Sequence, residues 1–202
     1  MTAAAVKKVL AECGGETEYI SLAGKKINGC ISCLGCIHDN RCIVRDDFPP
    51  IAEAMTSADA IVFGAPNYYG TMNGLSHCLW ERCFCFRHRS EFVLKDKPIV
   101  IISTGYSTAE EDNAVFKAME PFVLHNKMKR LNQFTVGAYS QCYDCACSKT
   151  CVDGNVVKKY GIVDAITPEM LPNRFEQQPE SILKCKVAAK RLQDALKARA
   201  AT

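Results

Sequence analysis

The chain has 202 residues, 48% of them hydrophobic and 23% charged, with a formal net charge of +3. That balance suits one globular domain with a sizeable core, and a small charge without runs of one sign excludes a nucleic-acid surface. No apolar stretch approaches the roughly 20 residues that cross a bilayer, and the start lacks the apolar core of a secretory signal. The 13 cysteines, an odd number, then point to a reducing, cytoplasmic setting and metal-binding thiols rather than disulfides.

In chain order, residues 3–13 predict a helix of strong formers ended by Gly14-Gly15. EYISL (18–22) reads as a short strand. Asp46-Asp47-Phe48-Pro49-Pro50 is a helix start, an acidic cap followed by prolines where no N–H is needed. DAIVFGA (59–65) and PIVIIST (98–104) are apolar, β-branched runs, as expected of strands buried on both faces. Helices are predicted at 74–86, 110–129 and about 180–199, and a further strand at 133–139. Strands alternating with helices imply right-handed crossovers, a parallel sheet and one domain over residues 1–202, with cysteine-rich insertions at 29–43 and 141–152. Ligands of such sheets sit beyond the carboxyl ends of the strands. That edge is predicted to gather Cys30–Cys42, Ala65–Asn73, Gly105–Thr108 and Cys142–Cys151.

CISCLGCIHDNRC carries Cys30, Cys33, Cys36 and Cys42 in the spacing C-x2-C-x2-C-x5-C. Three thiolates three residues apart can wrap one face of an iron–sulfur cubane, and the fourth closes it; bacterial ferredoxins use a similar compact run. Zinc prefers two CxxC pairs split by a longer loop. Zinc and unligated thiols stay open as alternatives. QCYDCACSKTC places a second group at Cys142, Cys145, Cys147 and Cys151, open between a metal or cluster site, a dithiol redox pair and unligated thiols. No acid–base or nucleophile constellation stands out, and the four histidines form no visible group.

From Glu18 to Tyr106, the order strand, CISCLGC…C, DDF, SADAIVFGAPNYYGTMNG, WER and IVIISTGY resembles the NADPH-dependent FMN reductase family, closest to its iron–sulfur flavoprotein branch. The resemblance implies a flavodoxin-like three-layer sandwich, FMN and a 4Fe-4S cluster as cofactors, and NAD(P)H as a transient donor. It also implies a redox-protein partner such as ferredoxin, and a dimer or tetramer. It assigns FMN to Pro66, Asn67, Tyr68, Tyr69, Gly70, Thr71 and Met72, to Ser103, Thr104, Gly105 and Tyr106, and to Thr2 at the phosphate. The family opens with a central strand and a phosphate loop, whereas here the chain starts at the first helix. Met1 is therefore read as an internal methionine of a longer chain, and the sheet is expected to lack its N-terminal central strand. The expected activity is that of an FMN-dependent oxidoreductase or electron-transfer iron–sulfur flavoprotein; the competing reading is a flavin-free metal-binding module, structural or electron-carrying.

Overall fold

The computed structural model describes residues 1–106, 110 and 113–201. Helices α1 (Thr2–Glu12) and α2 (Phe48–Ser57) precede β1 (Ile61–Tyr68) and β2 (Thr71–Met72). Then come α3 (Gly74–Arg82), β3 (Pro98–Gly105), α4 (Ala114–His125), β4 (Lys129–Gly137), α5 (Asn155–Tyr160) and α6 (Pro179–Ala200). The sheet order is β2-β1-β3-β4; β1, β3 and β4 run parallel and β2 is antiparallel to β1.

Side chains alternate across the sheet, and both faces are covered. Ile99 and Ile101 of β3 join Phe48, Met55, Trp80 and Met119 in one core. Val100 and Ile102 join Val6, Val9, Cys185 and Leu192 in the other. The result is the expected three-layer α/β sandwich, with α1 and α6 on one face and α2, α3 and α4 on the opposite one. Asn113 caps α4 by accepting from Val115 N at 3.0 Å, so the helix starts after the predicted residue 110; Glu111 and Asp112 of that prediction lie outside the described residues.

The predicted strand at 18–22 does not form. The segment has no regular structure, is exposed over much of its length and is paired with no strand among the described residues. A slot of about 860 Å³, lined by both, lies between it and β1. The slot is lined by Val6 and Leu10 of α1, Met55 of α2, Leu79 and Trp80 of α3, and Ile20. It occupies the place beside β1 where the resemblance puts a further strand. Without a strand at 18–22, the first cysteine group does not leave a strand end, and the convergence predicted from element order does not apply to it. It is positioned by α3 instead.

Candidate functional site

The segment 28–46 is tied down by buried charge. Arg82, the last residue of α3, is 1% exposed. It donates to Asp46 at 2.7 Å, to Asn28 O at 3.1 Å and, through Nε, to Cys42 Sγ at 3.1 Å. Its guanidinium also lies 4.6 Å from the Phe48 ring centroid. Asp46 accepts from Phe48 N at 3.0 Å and Asn28 N at 3.2 Å. Burial pushes its carboxyl up, but the Arg82 hydrogen bond, these two N–H groups and the Arg82 charge outweigh burial and hold it below its ordinary value. Asn40 adds a second anchor: it donates to Glu91 at 2.7 Å and accepts from His88 N at 2.9 Å.

This frame brings Cys30, Cys33, Cys36 and Cys42 around one small cavity of about 20 Å³, joined by Cys85 and roofed by Ile31. Ser32 and Leu34 adopt positive φ, 53° and 56°, a costly conformation for residues with a Cβ. Gly35 is required because a Cβ there would overlap Ile43. Cys30 and Cys33 are exposed and Cys36 is buried, with Sγ 3.1 Å from His88 Nε2. Burial pushes the Cys36 thiol up, and the neighbouring Cys42, Cys30 and Cys33 add to the rise. Four thiolates here would repel one another, so the arrangement suits a bound group that supplies positive charge. Burial, then Cys42 and Cys36, push Cys85 up to about 12, which leaves it a thiol beside the four.

Among the described residues no three such side chains are arranged to hold a single metal ion. A mononuclear zinc site draws its sulfurs to about 2.3 Å from one point, which the first group does not do. Thiols set around a cavity suit a polynuclear cluster, whose ligands bind separate irons. Among the described residues, the donor set and its N–H support fit such a cluster. Arg82 touches Cys42 Sγ and His88 touches Cys36 Sγ, and residue spacing singles out neither as a site residue. An arginine buried next to a cysteine loop leaves no local signal in residue spacing.

The loop assigned to FMN is a hairpin. Tyr68 pairs with Thr71, and the two residues between, Tyr69 and Gly70, have φ of 53° and 73°, the signature of a type I′ turn. Parallel pairing sets Pro66 opposite Thr104, so the hairpin and the end of β3 are neighbours. Thr2 Oγ1 meets Thr104 Oγ1 at 2.5 Å, which brings the start of α1 to the same place. Tyr68, Tyr69 and Tyr106 are exposed, and Gly70 and Thr71 face solvent with them. Asn67 pairs with Met72. Met72 and Ser103 are buried, so they support the loops from behind rather than present side chains to a ligand. The Asn73 amide oxygen is buried with no partner among the described residues. An exposed aromatic hairpin, free N–H groups at a helix start and an unpaired amide fit a flat, polar-edged anionic cofactor. Thr108, assigned to the second loop, lies outside the described residues.

The second cysteine group follows β4 at the carboxyl edge, as predicted. Ala138 N bonds Gly105 O at 2.8 Å, and Tyr143 packs edge-on to Tyr139 at 6.1 Å. Cys142 and Cys151 are partly covered, and Cys145 and Cys147 are exposed. No helix among the described residues is long and apolar enough to cross a membrane.

Comparison with known proteins follows the same lines. An iron–sulfur flavoprotein of Methanocaldococcus jannaschii is 33% identical over 119 residues, 59% of this chain and 61% of that one. One from Methanosarcina thermophila is 32% identical over 103 residues, 51% of this chain and 53% of its own. The chain thus spans between about half and two-thirds of the length of these curated relatives. A solved flavone reductase matches 96% of this chain and 58% of its own with a TM-score of 0.53 at 18% identity, a likeness of fold alone. Residues 1–141 match the family described as NADPH-dependent FMN reductase, and the chain belongs to that family.

Proposed function

We propose that this protein is an FMN-dependent oxidoreductase that transfers electrons between FMN and a 4Fe-4S cluster held by Cys30, Cys33, Cys36 and Cys42. The observation that carries the reading is the cavity ringed by these four thiols, with Arg82 donating to one of them, on a chain of the FMN reductase family. FMN, when bound, accepts or gives a hydride or single electrons, and the protein supplies binding and tuning. Tyr68 and Tyr69 offer faces for stacking, Gly105 and Tyr106 lie at the polar edge, and Thr2 and the first N–H groups of α1 receive the phosphate, with the buried Thr104 hydroxyl bonded to Thr2 behind them. Arg82 and His88 hold hydrogen bonds on the ligand sulfurs, where such contacts set the potential of a cluster. NAD(P)H is the proposed donor, a redox protein such as ferredoxin the proposed partner, and a dimer or tetramer the proposed assembly.

α3 links the two sites. It starts just after the hairpin and ends at Arg82, so its 9 residues separate them by about 12 Å along its axis. The test is the visible spectrum of anaerobically purified protein, with iron, sulfide and flavin assays. The expected result is two flavin bands over a broad brown shoulder, with about four irons per chain, and loss of the shoulder but not the flavin in Cys33→Ala. A colourless protein that binds zinc at the first group would overturn the reading.

A further inference from the structure

Residues 139–178 form a long excursion between β4 and α6 with little core of its own. Within it only Tyr143, Ser148, Val156 and Phe175 are buried, and regular structure is limited to the 6-residue α5 and single 3-10 turns. Connections of this length are uncommon in compact domains and usually carry function. All the cysteines in this excursion are free thiols, and they fall between Cys142 and Cys151.

Two of these sulfurs flank one unfilled point. A Cβ on Gly154 would stand 2.9 Å from Cys151 Sγ and 3.3 Å from Cys142 Sγ, and no atom beyond the chain neighbours of Gly154 lies closer to it. Gly154 has φ −75° and ψ 158°, which any residue adopts, so the glycine provides space rather than conformational freedom. Consecutive amides hold the two sulfurs there: Gly154 N donates to Cys151 Sγ at 3.1 Å and Asn155 N donates to Cys142 Sγ at 3.4 Å. The Ser140 hydroxyl, then the Asn155 and Val156 N–H groups, hold the Cys142 thiol below its ordinary value and outweigh its burial. The Lys158 ammonium, paired with Asp153 at 2.8 Å, also interacts with Cys142 and Cys151, and a neighbouring cation favours thiolates. Cys145 and Cys147 are exposed, and their thiols donate instead to Cys142 O at 3.4 Å and Cys145 O at 3.2 Å.

We infer that Cys142 and Cys151 are a redox-active dithiol that exchanges with low-molecular-weight disulfides, Cys142 attacking first and Cys151 resolving. The Cys142 thiolate attacks one sulfur of the substrate. The substrate S–S bond breaks, a mixed disulfide on Cys142 forms, and one thiolate leaves. Cys151 then gives up its proton and attacks the Cys142 sulfur. The mixed disulfide breaks, the Cys142–Cys151 bond forms, and the second thiolate leaves. Two electrons pass from the protein to the substrate, and the two protons of the pair end on the two thiols released. An excess of small thiol runs the same steps backwards. Both sulfurs are partly covered, which admits a small disulfide more readily than one in a folded protein. Closing the pair swings the sulfurs into the space that Gly154 leaves open, and the bond staples an excursion that has little core to hold it. This inference does not rest on the flavin reading.

The test equilibrates the full chain, anaerobically, in buffers of stepped glutathione to glutathione-disulfide ratio, then alkylates free thiols and maps the peptides by mass. Trypsin cuts after Lys149 and puts Cys142 and Cys151 on different peptides, so their disulfide appears as a linked pair. The expected result is that link, with Cys145 and Cys147 alkylated. Cys151→Ser should accumulate glutathione on Cys142, and Cys142→Ser should take it up on Cys151 more slowly. Gly154→Ala leaves both thiols in place but fills the space between them. It should move the half-point about tenfold toward the oxidising side, about 30 mV for a two-electron couple. Neither cysteine belongs to the two cores, and far-UV circular dichroism checks that each variant folds. Cys142 that stays open to alkylation in the most oxidising buffer would overturn the inference, as would a link to Cys145 or Cys147 instead of the expected pair. So would an unchanged half-point in Gly154→Ala, or bound metal that is lost when Cys142 and Cys151 are replaced.

Discussion

Arg82 Nε donates to Cys42 Sγ at 3.1 Å while the same guanidinium holds the Asp46 carboxylate at 2.7 Å. One side chain therefore fixes the cysteine loop, neutralises a buried acid and touches a proposed cluster ligand. Arg82→Leu should strand Asp46 in a buried site and cost about 3–5 kcal/mol. Arg82→Lys keeps the charge but loses the planar fork, and should cost less. Urea unfolding midpoints read both. In cluster-loaded protein that still folds, Arg82→Leu should lower the reduction potential, because a donated N–H favours the more negative reduced cluster. Unchanged midpoints and an unchanged potential would remove Arg82 from both roles.

Asp46 gives this pair a pH signature. Its folded pKa lies below its ordinary value, so the stability it contributes is fully present above the unfolded carboxyl pKa, about 3.9. That contribution is lost as pH falls through the lower folded value. Asp46→Asn should be less stable than the parent at neutral pH, and the gap should narrow below about pH 4. Urea midpoints for the two proteins across the acid range test this. A gap that stays constant to the lowest pH would mean that the carboxylate contributes nothing through its charge.

The buried strands were legible because Ile, Val and Phe runs flanked by turn residues admit little else; β1, β3 and β4 fall where the apolar runs predict, with shifted ends. EYISL carries the same residue types and failed, because a strand is made by its partner and β1 stands across a slot from it. The cysteines of the site were legible from spacing alone. What holds them was not: Arg82, Asn40 and His88 lie far from Cys36 and Cys42 in sequence, and only packing brings them together. Asp46 was read as a helix cap. It does accept from Phe48 N, but its larger partner is Arg82, 36 residues away.

The hairpin turn makes a prediction about flavin binding. Tyr69 is fully exposed at the tip, and stacking of an aromatic ring is worth on the order of 1 kcal/mol beyond buried area. Tyr69→Ala should therefore weaken FMN about fivefold. Gly70 has open space around it but a φ of 73°, so Gly70→Val fails through backbone strain, not collision. It should distort the turn and weaken FMN at least as much. Flavin fluorescence titrations measure both, and unchanged affinity in both variants would take the hairpin out of the site.

The far edge of β1 makes the last prediction. In a strand, successive N–H groups point to opposite sides, so β1 directs alternate amides toward β3 and the others into the slot. Left dry, those main-chain groups would each cost roughly 1–3 kcal/mol, and a few would consume the whole stability of a domain, about 5–15 kcal/mol. A slot of about 860 Å³ is far larger than the roughly 30 Å³ that one water occupies, so solvent can meet them. Over Ile61–Ala65, the part of β1 that β2 does not cover, hydrogen exchange should therefore alternate, slow at amides bonded to β3 and fast at those facing the slot. Uniform protection along the strand would show that a further strand pairs with this edge in solution. In that case protection that falls on dilution would identify a second copy as its source, and protection independent of concentration would place the strand within the same molecule.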